Sequence, residues 1–287
     1  MTGVELTIKV LTCCALVGLL GAVGLRLTYD EVRAALAQCR FFSIVLVNFT
    51  IIPALVVGAA AALGLKREIA IGMILLAAAP FAPVVPVFVR MARAELALAA
   101  ALTGVFPLLS TLFTPMAARA AFWMLGSGTE IRFNMWTSLA ILVATITLPL
   151  ALGVLIRHWA PRLAQRLRKP VEVISEATGA VSLAFVSVTQ FGSILNLGWR
   201  TWLAMALVSE ISLAIGWQLG GPGRRSKQVV AFGTSNRNIA LALLIAIQSF
   251  HGTAIASVVV GNGLLLIAFG LLHVAWWRFV RPNPHSA

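Results

Sequence analysis

Apolar residues fill nine stretches of this chain, at about 6–27, 41–64, 68–92, 95–118, 136–158, 172–196, 199–219, 226–249 and 253–277, and polar residues fall mostly in the short intervals between them. Each stretch is close to the roughly 20 residues that a helix needs to span the hydrocarbon of a bilayer. The pattern predicts an all-α integral membrane protein with about nine transmembrane helices. Two of the stretches are interrupted. In the third, Pro80, Pro83 and Pro86 recur at spacing three; in the eighth, Thr234, Ser235, Asn236, Arg237 and Asn238 form a polar run between Val229–Phe232 and Ile239–Leu244. Proline lacks the amide proton and clashes with the carbonyl four residues back, so three of them cannot continue one helix. Carbonyls near residues 76–82 are then released, and at bilayer depth such groups must face protein or water.

Residues 6–118 and 172–278 can be laid on each other as two four-helix units of opposite topology, joined by a connecting helix at 136–158 within a single transmembrane domain covering 1–287. Each unit has its broken helix third. A simple proline kink would account for the first break alone. Paired breaks at matching places of inverted repeats point instead to a transporter with its substrate site near the midplane. The interval 157–171, with Pro161, Pro170 and five cations, is expected to be the longest basic loop and the boundary between the halves.

Composition and charge narrow the class. The chain is 60% hydrophobic and 11% charged, with a mean hydropathy of +0.96, which leaves no room for a soluble protein. Glu5 and Lys9 make a poor basic leader, and no small-x-small cleavage site introduces a polar mature domain, so the first stretch is expected to remain. The net charge of +13 lies in short loops and reads as topology, not as nucleic-acid binding. With the C-terminus cytoplasmic, fifteen cations fall inside and six outside, while Arg237 lies within a crossing. That bias predicts a multi-pass plasma (inner) membrane protein with its N-terminus outside. Most of the eight tryptophans fall near stretch ends, as interface anchors do.

The residues that bear chemistry are few. Arg237 at bilayer depth costs roughly 2.5–3.5 kcal/mol on insertion scales and needs a partner. It pairs with Glu210, the acid placed deepest in a crossing, or it faces the cavity and receives an organic anion; a half-helix starting near Asn238 would favour an anion through its dipole. Cys13, Cys14 and Cys39 have no metal or disulfide spacing and read as small fillers. His158 and His273 read as interfacial or packing residues. Four scattered histidines and nine scattered acids give no intramembrane protease or lipid-phosphatase site, so no enzyme activity is expected. The expected partners are a small organic anion and the lipid bilayer, with no organic cofactor and no obligate protein partner.

Several segments carry a family resemblance. Pro80–Pro115, PFAPVVPVFVRMARAELALAAALTGVFPLLSTLFTP, is similar to the signature of the bile acid:sodium symporter family, where a Pro-Gly-Gly break is followed by Ser-Asn, an Ala-Arg/Lys-Gly turn and a helix ending in Thr-Pro. Asn48-Phe49-x-x-x-Pro53 resembles its Gln-Phe-x-x-x-Pro pattern, Asn236–Leu241 resembles its Met-Gln-Asn-Ser-Gly-Leu stretch, and Gly261-Asn262 sits where its last helix has His-Asn. The resemblance covers nearly the whole chain, although the family's ten-helix members have one further helix in front. It implies a secondary active transporter with a core domain (stretches two to four and seven to nine) and a panel domain (one, five and six). Substrate would bind where the broken helices cross, at Pro83, Asn236, Arg237 and Asn238 with Asn48 and Asn262.

The departures fall on the coupling ion. The resemblance puts sodium ligands at positions here held by Val85, Pro86, Ala99 and Gly233, and at Arg237 in place of glutamine; Thr103 is retained. A register slip of two residues aligns Asn236 instead of Asn238 and still supplies no acid. Sodium prefers several oxygens, so no metal site is expected at these four positions, and Thr103, Thr234, Ser235 and Glu210 are the remaining candidates for ion coupling. Arg237 is expected to replace sodium's charge. A carrier coupled to protons through Glu210 is the alternative, and a non-transporting membrane sensor or subunit is a third reading.

Overall fold

The structure, a computed structural model, describes residues 3–37, 39–126, 133–250 and 253–280. In chain order its helices are α1 (Gly3–Arg26), the short α2 (Tyr29–Leu36), α3 (Phe41–Ala62), α4 (Arg67–Ala77), α5 (Val85–Met91), α6 (Leu96–Met124), α7 (Met135–Trp159), α8 (Pro161–Thr189), the short α9 (Phe191–Leu195), α10 (Trp199–Leu219), α11 (Arg224–Ser235), α12 (Ile239–Ser249) and α13 (Ile255–Phe279). Seven of them, α1, α3, α6, α7, α8, α10 and α13, are long and apolar enough to cross a membrane. The interrupted stretches are the pairs α4–α5 and α11–α12. Among the described residues the helices leave room for one isolated β-bridge, between Pro80 and Arg237, and that bridge joins the two breaks.

The halves of the broken helices sort into two apolar clusters. Ile74, Leu75 and Leu76 of α4 pack with Leu241–Ile247 of α12 and Val258–Val260 of α13. Val85, Phe88 and Val89 of α5 pack with Val229–Phe232 of α11 and Phe106 of α6. Each broken helix therefore gives one half to each cluster, which fixes the crossing between them. Several hydroxyls inside the long helices are spent on their own turns: Thr145 donates to Ile141 O, Thr201 to Leu197 O and Ser212 to Val208 O. Such i−4 bonds let polar residues sit in hydrocarbon without an outside partner.

Helix α1 packs mainly on α8 and α7. Its approach to α7 is set by glycine: a Cβ on Gly153 would lie 2.5 Å from Gly21 O and 2.8 Å from Leu25 N, and one on Gly24 would lie 2.2 Å from Leu150 O. Small residues at a crossing bring backbones this close, and in a membrane such packing carries much of the association. Proline shapes two further turns. Val47–Ile51 and Val143–Thr147 are π-helical, each two residues before a proline, Pro53 and Pro149. A ring that cannot accept the regular i−4 turn widens the helix there.

Three expectations from the sequence need correction. The interval 157–171 is not a loop: α7 runs to Trp159, the chain turns at Ala160 (φ −133°, ψ 65°), and α8 starts at Pro161. Pro161 needs no amide partner in the first turn, and Pro170 lies inside α8 where the helix surface is exposed. The stretch expected at 172–196 ends at Thr189, with α9 beyond it, and the one expected at 95–118 continues to Met124. Trp277 is buried in the second cluster, whereas Trp123, Trp136, Trp159 and Trp199 are exposed at helix ends. Arg132 and Arg281, both counted in the charge bias, lie outside the described residues.

Replacing Gly153 by valine should force α1 and α7 apart and destabilise the protein by about 1–3 kcal/mol. A fall in melting temperature of the purified protein, with a smaller effect for the same change at Gly58, where a Cβ meets nothing within 4 Å, is the expected result.

Candidate functional site

The two breaks satisfy each other's backbone. Phe81 N donates to Gly233 O at 3.1 Å, Ala82 N to Asn236 O at 3.3 Å and Asn238 N to Ala79 O at 2.7 Å. The amides of Phe81 and Ala82, which would meet Ala77 O and Ala78 O in a continuous helix, turn to the second break, and those carbonyls are taken up by side chains: Ala77 O accepts from Arg237 Nη1 at 2.9 Å and Ala78 O from the Thr114 hydroxyl at 2.6 Å. The second break is narrower than its polar run. Helix α11 continues through Ser235, Asn236 is extended (φ −89°, ψ 124°), and Asn238 caps α12 by accepting from Leu241 N at 3.1 Å.

Arg237 is held rigidly. Nη1 also donates to Asn48 Oδ1 at 3.0 Å, and Asn48 Nδ2 donates to Ile44 O at 2.9 Å and to the Thr234 hydroxyl at 3.3 Å. Asn48 sits on the π-turn of α3, so the widened turn carries the amide that meets the guanidinium. Asn236 Nδ2 donates to Phe232 O and to Ser235 Oγ, both at 3.2 Å, and Ser235 donates to Phe232 O at 3.4 Å. The structure thus brings together Asn48, Thr234, Ser235, Asn236, Arg237 and Asn238. Asn262 lies close by, lining a small cavity with Ser235 and Arg237.

Glu210 is not Arg237's partner. It lies on the outward face of α10 with 46% of its side chain exposed, and its Oε2 is 3.3 Å from His273 Nε2; Ser209 and Ser212 occupy the inward face. Thr103 also stands apart: its hydroxyl donates to Ala99 O and Ala100 O of its own helix and lines neither cavity. Burial, and then the Glu95 carboxylate, push the Cys39 thiol up to about 11, so at neutral pH it is no thiolate.

Four of the positions that the resemblance gives to sodium are apolar. Val85 and Ala99 lie in the second cluster, and Pro86 is in the first turn of α5. The face of Gly233 is covered by the Phe81 ring, so that a Cβ there would fall 1.9 Å from Phe81 Cε1. Phe81 stacks on Phe106 with ring centroids 4.0 Å apart and takes the left-handed backbone (φ 58°) that non-glycine residues rarely adopt. No side-chain oxygen stands at these four positions. Among the described residues no three His, Cys, Asp or Glu side chains gather to hold a metal ion.

A cavity of about 350 Å³ opens between the breaks and the α1–α8 face. Ala82, Pro83 and Val84 line it from the first break, Asn236–Ala240 from the second, and Thr12 and Ser182, hydrogen-bonded at 2.9 Å, from the opposite wall. Most of its surface is apolar, and the amino end of α12 faces it. Glu176 of α8 lines it too. Sequence reasoning missed this acid, although a carboxylate within an apolar stretch at 172–196 was the available signal.

Comparison with known proteins gives one family: the model of the sodium bile acid symporter family matches residues 13–197. No curated protein matches the chain significantly.

Gly233→Glu should be destabilising by at least about 1–3 kcal/mol, because the new side chain meets an aromatic ring. Adding Phe81→Gly should make the double variant's loss smaller than the sum of the two single losses by about 1 kcal/mol or more, measured by thermal denaturation. Additive losses would mean that the ring does not close this position.

Proposed function

Because this chain belongs to the sodium bile acid symporter family, we propose that it is a secondary transporter that carries a small organic anion across the membrane without requiring sodium. The observation that supports this most is Arg237, a cation fixed on Ala77 O and Asn48 at the crossing of the broken helices. A fixed charge there does the electrostatic work of a bound cation, and it cannot leave. The amino end of α12 adds partial positive charge toward the cavity. A cavity of about 350 Å³ with mostly apolar walls suits a compact anion with an apolar body, at the small end of the roughly 300–1,000 Å³ typical of ligand sites.

In this reading α1, α7 and α8 form the panel and the remaining long and broken helices form the core, giving nine crossings with the N-terminus outside and the C-terminus in the cytoplasm of a plasma (inner) membrane. Alternating access is a rocking of one unit on the other around the cavity. Pro83, Asn236 and Asn238 contact the substrate, while Asn48 and Thr234 hold Arg237 in place. Asn262 lies behind the crossing.

Uptake of radiolabelled organic acids into proteoliposomes in sodium-free buffer tests this. The expected outcome is undiminished uptake without sodium and a loss of roughly tenfold or more in Arg237→Gln, equivalent to about 1.4 kcal/mol of charge-assisted binding. Strict sodium dependence in the wild type would sink the proposal, and flux of any organic anion dismisses a sensor that does not transport.

Proton coupling is a second reading, and it attaches to Glu176, which lines the cavity, and not to Glu210, which faces outward beside His273. Under it, an inward proton gradient drives uptake in the wild type, and Glu176→Gln retains exchange between the two sides but loses the response to the gradient. An unchanged response in that variant removes Glu176 from the coupling.

A further inference from the structure

Behind the crossing, away from the larger cavity's α1 and α8 wall, lies a second cavity of about 20 Å³. Arg237 lines both. Only Nη1 of its guanidinium is used by Asn48 and Ala77; Nη2 is buried and has no hydrogen-bond partner among the described residues. The same holds for Asn262 Oδ1. Arg237 is 4% exposed and Asn262 7%, and both line this small cavity together with Ser209. Two strongly polar side chains, each more than nine-tenths buried, thus have unspent capacity toward one small space.

The size and charge of that space select its occupant. About 20 Å³ exceeds the roughly 10–15 Å³ that one water needs, which suits a single water or a monatomic ion. A single water would answer the hydrogen bonds but leave the charge. No ion pair among the described residues includes Arg237, and an uncompensated guanidinium in a dry interior is strongly unfavourable. The oxygen and nitrogen of an asparagine amide interchange by a flip, so Asn262 can present N–H to an anion as readily as a carbonyl to water.

We propose that this cavity binds one chloride ion, held by Arg237 Nη2 and the Asn262 amide, as the counterion of the buried guanidinium. The site lies behind the crossing and is separate from the cavity assigned to the organic anion. Both anions draw on one positive charge, so binding of either weakens the other, and linkage makes the two effects equal. The inference requires Arg237 to be charged but does not depend on which molecule is transported, or on whether any is.

The test uses the purified full chain in detergent. Melting temperature is measured against chloride and bromide, with gluconate at equal ionic strength as the reference, and a bromide-containing crystal is examined for anomalous scattering. A saturable rise of a few degrees with either halide is expected, together with a bromide peak beside Arg237 Nη2. Arg237→Gln should abolish the halide response. Should that variant not fold, Asn262→Leu, which fills the cavity and removes one donor, should weaken halide affinity roughly tenfold or more. Equal melting temperatures in chloride and gluconate, water density with no bromide peak, or a halide affinity left unchanged in Asn262→Leu would each overturn the proposal. Transport is read separately: a halide response without organic-anion flux would leave this site standing and remove the transport reading, and flux without a halide response would do the reverse.

Discussion

Hydrocarbon offers a broken helix no hydrogen-bond partner, so every N–H and C=O freed at a break must be met from within the protein. Here the two breaks meet each other. Three backbone bonds run between residues 79–82 and 233–238, and two side chains, those of Thr114 and Arg237, take up the carbonyls of Ala78 and Ala77. Neither break could stand without the other. The sharing of helix halves between two apolar clusters follows from the same crossing, because α4 must lie beside α12 and α5 beside α11 once the breaks are joined.

Arg237 takes part in that backbone account as well as in the charge account. Its Nη1 satisfies the carbonyl of Ala77, left free where α4 ends, and its positive charge is fixed at the crossing by Asn48. The residues around it are mutually consistent: glycine at 233 gives Phe81 its space, alanine at 99 and valine at 85 lie in the same apolar cluster as that ring, and Asn48 holds the guanidinium. Packed carbon lies on one side of the crossing and a fixed cation on the other.

Much of this was legible in the sequence, for identifiable reasons. Proline spacing located the first break and the polar run 234–238 the second, since each depends only on local composition, and together they located the crossing. What escaped depends on facing direction and distance. Asn48 and Arg237 are 189 residues apart, and no local pattern tells that one amide will reach the other. Glu210 and Ser209 are neighbours in sequence on opposite faces of one helix, so the acid that looked deepest faces outward. Thr103 kept its identity but spends its hydroxyl on its own helix. The basic stretch after Ala160 read as a loop because Pro161 and Pro170 were weighed as breakers, whereas one stands in a first turn and the other on an exposed surface.

That stretch changes the mechanical picture of the molecule. Helix α8 has 29 residues, about 43 Å at roughly 1.5 Å per residue, against a hydrocarbon core of about 30 Å. Its excess length lies in its opening turns, where Arg162, Arg166, Arg168 and Lys169 are exposed, and each such cation near anionic headgroups is held there by about 1 kcal/mol. A helix tethered in this way keeps its depth in the bilayer. In the transport reading proposed above, the cavity wall built on α8 is then the stator, and the displacement that exposes the cavity to one side or the other falls to the crossed helices.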